Sequence, residues 1–232
     1  MRFLFILLVS LGLSAQQGTV TYKNEASLIP SMQKLKNNDS IAFQKSKEFA
    51  ELLLQMDRAI QQELTYKNNE AIFKPILNED DSYLLSLSKN QEGVFYKNTK
   101  ANLNYCQKTK YSKTFKISLN PVEWIETDEI KTILDYSCIK AIGTINNSQV
   151  PDEVYKIEAW FTPKIPVSFG PKGYGDLPGL ILELKVTNNH YIAIEIEKSA
   201  EVIIDEPQDG EKVTKKEYKQ FVDDKFSSLP KF

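Results

Sequence analysis

Few residues in this chain could do chemistry, and their spacing argues against most of what they might do. The single histidine, His190, follows Asn188-Asn189 and reads as an exposed residue at a hairpin turn. A metal site built on it would need Asp, Glu or Cys at ligand spacing, and the sequence places none there. A Ser–His–Asp triad would use the same histidine, but no serine sits in a G-x-S-x-G elbow. The acid pairs Asp80-Asp81 and Asp223-Asp224 are adjacent in sequence. Adjacent side chains diverge on a helix and face opposite ways on a strand, so neither forms an acid/base couple. The glycines of Gly170-Pro-Lys-Gly-Tyr-Gly175 suggest a phosphate loop. That loop needs a Lys-Ser/Thr ending and a helix to follow, whereas Leu177-Pro178-Gly179 and then an alternating strand follow here. The sequence therefore predicts no catalytic residue, no metal and no cofactor.

The elements that would hold these residues are mostly strands. Residues 18–24 alternate and are rich in β-branched and aromatic types. Ile41, Phe49, Leu52, Leu53, Met56, Ile60 and Leu64 recur at helical spacing behind an N-cap at Asp39-Ser40, which predicts one long helix packed on a sheet. Further strands are expected over 64–73, 83–88, 93–97, 103–107, 115–119, 122–126, 132–142 and 153–162, the run 132–142 as a central strand. The stretch 170–186 passes from a turn-rich crossing into Leu180-Ile181-Leu182-Glu183-Leu184, and residues 191–197 and 201–204 complete the set. Thr214-x-x-Glu217 is a capping box that opens a short C-terminal helix. Many short strands separated by turn signals predict an α+β, β-dominated fold built on one large antiparallel sheet.

Composition sets the outer limits. Of 232 residues 41% are hydrophobic and 11% aromatic, enough for a large core, and the net charge is −2. Arg2 and Arg58 are the only arginines, and there is no basic stripe, so no nucleic-acid partner is expected. Residues 1–15 read as a signal peptide, with Arg2, an apolar run over 3–13 and a Ser14-Ala15 exit. That run is short of the roughly 20 residues a membrane crossing needs. The remainder, 16–232, falls within the size of a single domain, exported and not membrane-spanning. An even pair of cysteines in an oxidising compartment predicts a disulfide between Cys106 and Cys138.

The stretch Asp176-Leu177-Pro178-Gly179-Leu180-Ile181 resembles the motif of the GLPGLI family of exported bacterial envelope proteins. Upstream, Ala159-Trp160-Phe161-Thr162, Ile165-Pro166 and Phe169-Gly170-Pro171 are similar to that family's AW[FY]T, IP and GP blocks. Trp124, Ile130, Tyr136, Cys138 and Lys140-Ala141 match a further segment. Asp176 and Asp135 stand where the family has glycine; aspartate at 176 can hold the same left-handed turn. The resemblance implies a periplasmic or extracellular location in a Gram-negative bacterium, and a common fold, but no activity. By analogy it also implies a curved, half-barrel-like sheet similar to lipoprotein-carrier folds. The surplus of aromatic and aliphatic residues on alternating strands, with no catalytic signature beside them, makes the expected function non-enzymatic binding, by the curved sheet, of an apolar or amphiphilic molecule or of an envelope protein. Trp160, Phe161, Tyr174, Leu177 and Leu180 are the expected ligand-lining residues. The rivals are an envelope hydrolase with unrecognised carboxylates and an interaction module for a membrane transport or secretion system.

Overall fold

The computed structural model describes residues 16–27, 41–82, 85, 92–146, 154–198 and 201–228. The signal peptide over 1–15, the cap at Asp39-Ser40 and most of the strand expected over 83–88 lie outside the described residues. Alternating burial along β1 (Gln17–Asn24), with Val20 and Tyr22 fully buried, shows how period-2 patterning places one face of each strand in the core. The other strands are β2 (Gln61–Lys67), β3 (Glu70–Pro75), β4 (Val94–Asn98), β5 (Leu103–Lys110), β6 (Lys113–Ser118), β7 (Trp124–Ile133), β8 (Tyr136–Asn146), β9 (Val154–Thr162), β10 (Leu180–Val186), β11 (Asn189–Glu197) and β12 (Glu211–Val213).

Among the described residues these twelve strands form one sheet in the order β12-β6-β5-β4-β3-β2-β1-β11-β10-β9-β8-β7. It consists of two meanders, β1 to β6 and β7 to β11, laid back to back. Antiparallel pairing of β1 with β11 joins them, from Thr19 opposite Glu197 to Asn24 opposite Tyr191. Only β12 breaks the antiparallel pattern, lying parallel to β6.

The sheet is rolled. Asn104 on β5 donates from Nδ2 to the carbonyl of Gly173 (3.1 Å), and Trp124 on β7 donates from Nε1 to the carbonyl of Gly175 (2.8 Å). Those strands are nine steps apart in the sheet order, which a flat sheet would spread over roughly 40 Å at ~4.8 Å per step. Two residues of chain span no more than about 7 Å. The sheet must therefore curl around residues 170–179, which places β5 and β7 on facing walls.

The concave face carries the core. Phe73 meets Tyr22, Phe95 and Tyr191 edge-on at centroid distances of 5.9, 6.2 and 6.1 Å, a favourable aromatic geometry. Leu64, Ile157, Ala159, Phe161 and Leu184 fill in around them. Two helices flank the sheet, α1 (Ile41–Ala59) and α2 (Lys215–Ser227). The capping box of α2 forms as expected, with Glu217 accepting from the Thr214 backbone N–H at 2.7 Å.

Three expectations need correction. The helical period runs through Leu64, but the chain leaves the helix at Ala59 and Leu64 points into the sheet from β2. Residues 64–73 and 132–142 are hairpins, turning at Asn68 (φ 54°) and at Leu134-Asp135 (φ 47° and 64°). The run 132–142 is therefore split: Thr132-Ile133 end the edge strand β7, and residues 136–142 lie in β8, which pairs with a strand on each side. Residues 201–204 are not a strand, and β12 begins at Glu211.

Candidate binding surfaces

Residues 163–179 cross the concave face and fold back on themselves. Leu180 N–H donates to the Ile165 carbonyl and Ile181 N–H to the Phe169 carbonyl, each at 2.9 Å. Phe169 and Gly175 form a one-residue bridge. Tyr22 secures β10 where it leaves the crossing, its hydroxyl donating to the Ile181 carbonyl at 2.6 Å with no solvent exposure. Asp176 adopts φ 68° and accepts from Lys97 Nζ at 2.7 Å. Asp135 is also left-handed, at φ 64°. Both aspartates thus adopt the backbone conformation that favours the glycine expected at their positions.

Of the expected ligand-lining residues, Trp160, Phe161, Leu177 and Leu180 belong to one buried hydrophobic cluster and Tyr174 packs against it. Phe161, Leu177 and Leu180 are buried in the concave core, and Tyr174 is half-buried at its edge. Trp160 alternates with Phe161 on β9 and so lies on the opposite face, where it is still buried. Beside Phe95, Phe169 and Tyr174 a void of about 10 Å³ remains, no more than one water needs. The crossing fills the groove in which an apolar molecule would lie.

On the outer face, Trp160 lies beneath Lys131 (4.2 Å from the ring centroid) and Lys140 (5.7 Å). Lys131 also pairs with Glu183 at 2.5 Å, and Glu183 lies opposite Trp160 in register. Glu183 Oε1 is 2.9 Å from His190 Nε2, and Glu25 approaches Nδ1 at 4.0 Å. The reading of His190 as an exposed turn residue is corrected here: it lies on β11, its side chain is 22% exposed, and it is held by a carboxylate. Lysine ammoniums occupy the indole face, so Trp160 offers no free stacking platform.

A second polar group lies inside the curve. Lys172 bonds Glu92, which also accepts from Gln62 Nε2 at 3.0 Å. Burial raises the Asp57 carboxyl above its ordinary range, and nearby Glu92 adds to the shift. Cys106 lies beside Lys108 and Lys172, and burial pushes its thiol up to about 11. Cys138 lies beside Lys131 and Glu183 with its thiol also at about 11, again through burial. Both cysteines are free and buried. Each thiol has its own charged neighbours in this structure. Among the described residues, no cluster of three His, Cys, Asp or Glu could hold a metal, and no helix is long and apolar enough to cross a membrane.

α1 presents a different kind of surface. It is fixed to the sheet at β1 by its C-terminal end, where Arg58 Nε donates to the Ala26 carbonyl at 3.0 Å and Ile60 is buried. Its apolar stripe then runs off the sheet. Met56 is half-buried, while Leu53, Leu52 and Phe49 are 44, 46 and 61% exposed. Periodicity located this stripe but not its exposure, because spacing alone does not say whether a helix's apolar face is covered.

A family described as "Protein of unknown function (Porph_ging)" matches residues 144–183, which span the end of β8, all of β9, the crossing and the start of β10. No curated protein matches the sequence. Two solved structures of PNGF-II, in C2 and P21 space groups, are similar in shape, with TM-scores of 0.57 and 0.56 at 16% and 18% identity. Each match covers 90% of this chain and 33% of PNGF-II, so the chain spans about a third of that protein.

Proposed function

We propose that this is an exported envelope protein of the GLPGLI type that acts by binding, without catalysis, and that its ligand is a partner protein docked on α1. The family match over 144–183 supports the family part of this reading, since it contains the Ala159–Thr162, Ile165-Pro166 and Phe169–Pro171 blocks and the motif itself. The binding part rests on one observation: Phe49, Leu52 and Leu53 form a solvent-facing apolar stripe on a helix anchored at one end. Apolar side chains grouped on one exposed face mark an interaction site more often than scattered ones do. A small apolar ligand has less support, because the protein's own crossing occupies the groove it would need.

The double substitution Phe49→Glu, Leu53→Glu tests this reading. Both positions are exposed, so stability should change by no more than about 0.5 kcal/mol per site. Affinity capture from an envelope extract of the source bacterium should yield a partner with the parent and lose it with the variant. Identical capture by both proteins would remove α1 as the site.

One observation favours the hydrolase rival, namely the raised Asp57 carboxyl facing Glu92 with Lys172 close by. Polysaccharide and peptide substrates hydrolysed by the parent but not by Asp57→Asn would establish it, and no turnover by the parent would end it.

A further inference from the structure

Lys116 on β6 is 7% exposed, yet no hydrogen bond or ion pair among the described residues involves it. Its one named contact is the ring of Tyr105, whose centroid lies 5.1 Å from Nζ. The other lysine as deeply buried, Lys97, is paired with Asp176. Parallel pairing also places Lys212 of β12 directly opposite Lys116 on the same face of the sheet. Like charges facing each other across a sheet destabilise it. An anion between the two lysines would remove that cost.

The surroundings suit one. Lys116 and Lys212 line a cleft of about 480 Å³ together with Tyr105, Ser118 and Glu206. Ser118 lies two residues beyond Lys116 on that face, opposite Tyr105, and its hydroxyl is a spare donor. Glu206 forms the far wall, where it accepts from the Tyr105 hydroxyl at 3.2 Å. Lys97 and Asp176 also line the cleft and neutralise each other. Two ammoniums against the one remaining carboxylate leave the cleft positive.

We infer that this cleft binds a small oxyanion-bearing molecule, with the Lys116 and Lys212 ammoniums taking the anion and the Ser118 hydroxyl donating to it. Lysine is a point donor that serves tetrahedral and planar anions alike, so carboxylate, sulfate and phosphate share the chemistry. The inference does not depend on the α1 reading, and either can fail alone.

The test is calorimetric titration of the protein with inorganic phosphate, sulfate and acetate at constant ionic strength in chloride. At least one should bind, and which one identifies the anionic group of the ligand. Lys116→Met should weaken that binding by at least about tenfold. It should also leave the melting temperature in anion-free chloride unchanged or higher, and Lys74→Met on β3 should bind like the parent. Should Lys116→Met not fold, Lys212→Gln takes its place, with severalfold weaker binding expected. The inference fails if none of the three anions binds. It also fails if Lys116→Met binds as the parent does while melting lower with and without anion, because the lysine would then be only a packing element on Tyr105.

Discussion

Asp176 shows how one residue can combine two duties that glycine would split. Its backbone adopts φ 68°, and its carboxylate holds the ammonium of Lys97, whose side chain is 8% exposed. Asp176→Gly should keep the turn but strand a buried ammonium, at a cost of about 1–3 kcal/mol, toward the low end because the aspartate itself is 40% exposed. Asp176→Ala should lose the ion pair and also force a left-handed alanine, about 1 kcal/mol more. Urea unfolding should rank the proteins parent, glycine variant, alanine variant. An alanine variant as stable as the glycine one would mean that backbone strain plays no part. The turn was legible in the sequence, since an aspartate at a glycine position suggested a left-handed residue. Its partner was not, because Lys97 lies 79 positions away with no local pattern pointing to it. Lys116 was hidden for the same reason: its isolation depends on a parallel pairing with residues near position 212.

Among the elements, the crossing is the least tolerant of change. A Cβ added at Gly179 would lie 2.3 Å from the Thr162 carbonyl oxygen and 2.6 Å from its carbon, both backbone atoms that cannot swing away. Gly179→Val should therefore cost more than about 3 kcal/mol in urea unfolding. A variant as stable as the parent would show that the crossing can shift by ångströms. The C-terminal helix should respond to pH instead. The Thr214 backbone N–H, with its hydroxyl, holds the Glu217 carboxyl below its ordinary 4.5. A depressed pKa means the cap contributes fully above 4.5 and is lost as pH falls through the lower folded value. Helix signals from Lys215–Ser227, followed by NMR, should fray in acid in the parent, while Glu217→Gln should flatten the dependence. Equal fraying in both proteins would assign the acid response to other groups. Alternation and the capping box made most strands and α2 readable. The hairpin at Leu134-Asp135 escaped because Ile133, Leu134 and Tyr136 carry the apolar run through the turn, the one at Asn68 because Asn68-Asn69 interrupts a strand pattern that resumes at Ala71, and the end of α1 because a strand position, Leu64, falls in phase with the helix.

At the scale of the whole molecule, the rolled sheet and its occupant are one object. Lys97, Asn104 and Trp124 reach the crossing from β4, β5 and β7, so walls far apart in the sheet order share a single plug. A large curved antiparallel sheet could be read from strand count and spacing. The rolling could not, because it depends on where two carbonyls in the crossing find their donors. With the groove filled, the two surfaces proposed for binding lie elsewhere: the positive cleft around Lys116 and Lys212, and the apolar stripe of α1.

The seam between β1 and β11 also constrains how the molecule comes to exist. The two meanders need only neighbouring residues to pair, so each can assemble as its own stretch of chain appears. The seam joins Thr19 to Glu197, across most of the polypeptide. A chain delivered from its N-terminus holds β1 with one edge open until β11 arrives, and pairing over such a separation is the slow kind. During that interval an apolar strand edge is exposed to anything nearby, including another copy of itself. Yield and aggregation in this protein should therefore be governed by the time between the first strand and the eleventh, rather than by the strength of any single contact in the finished sheet.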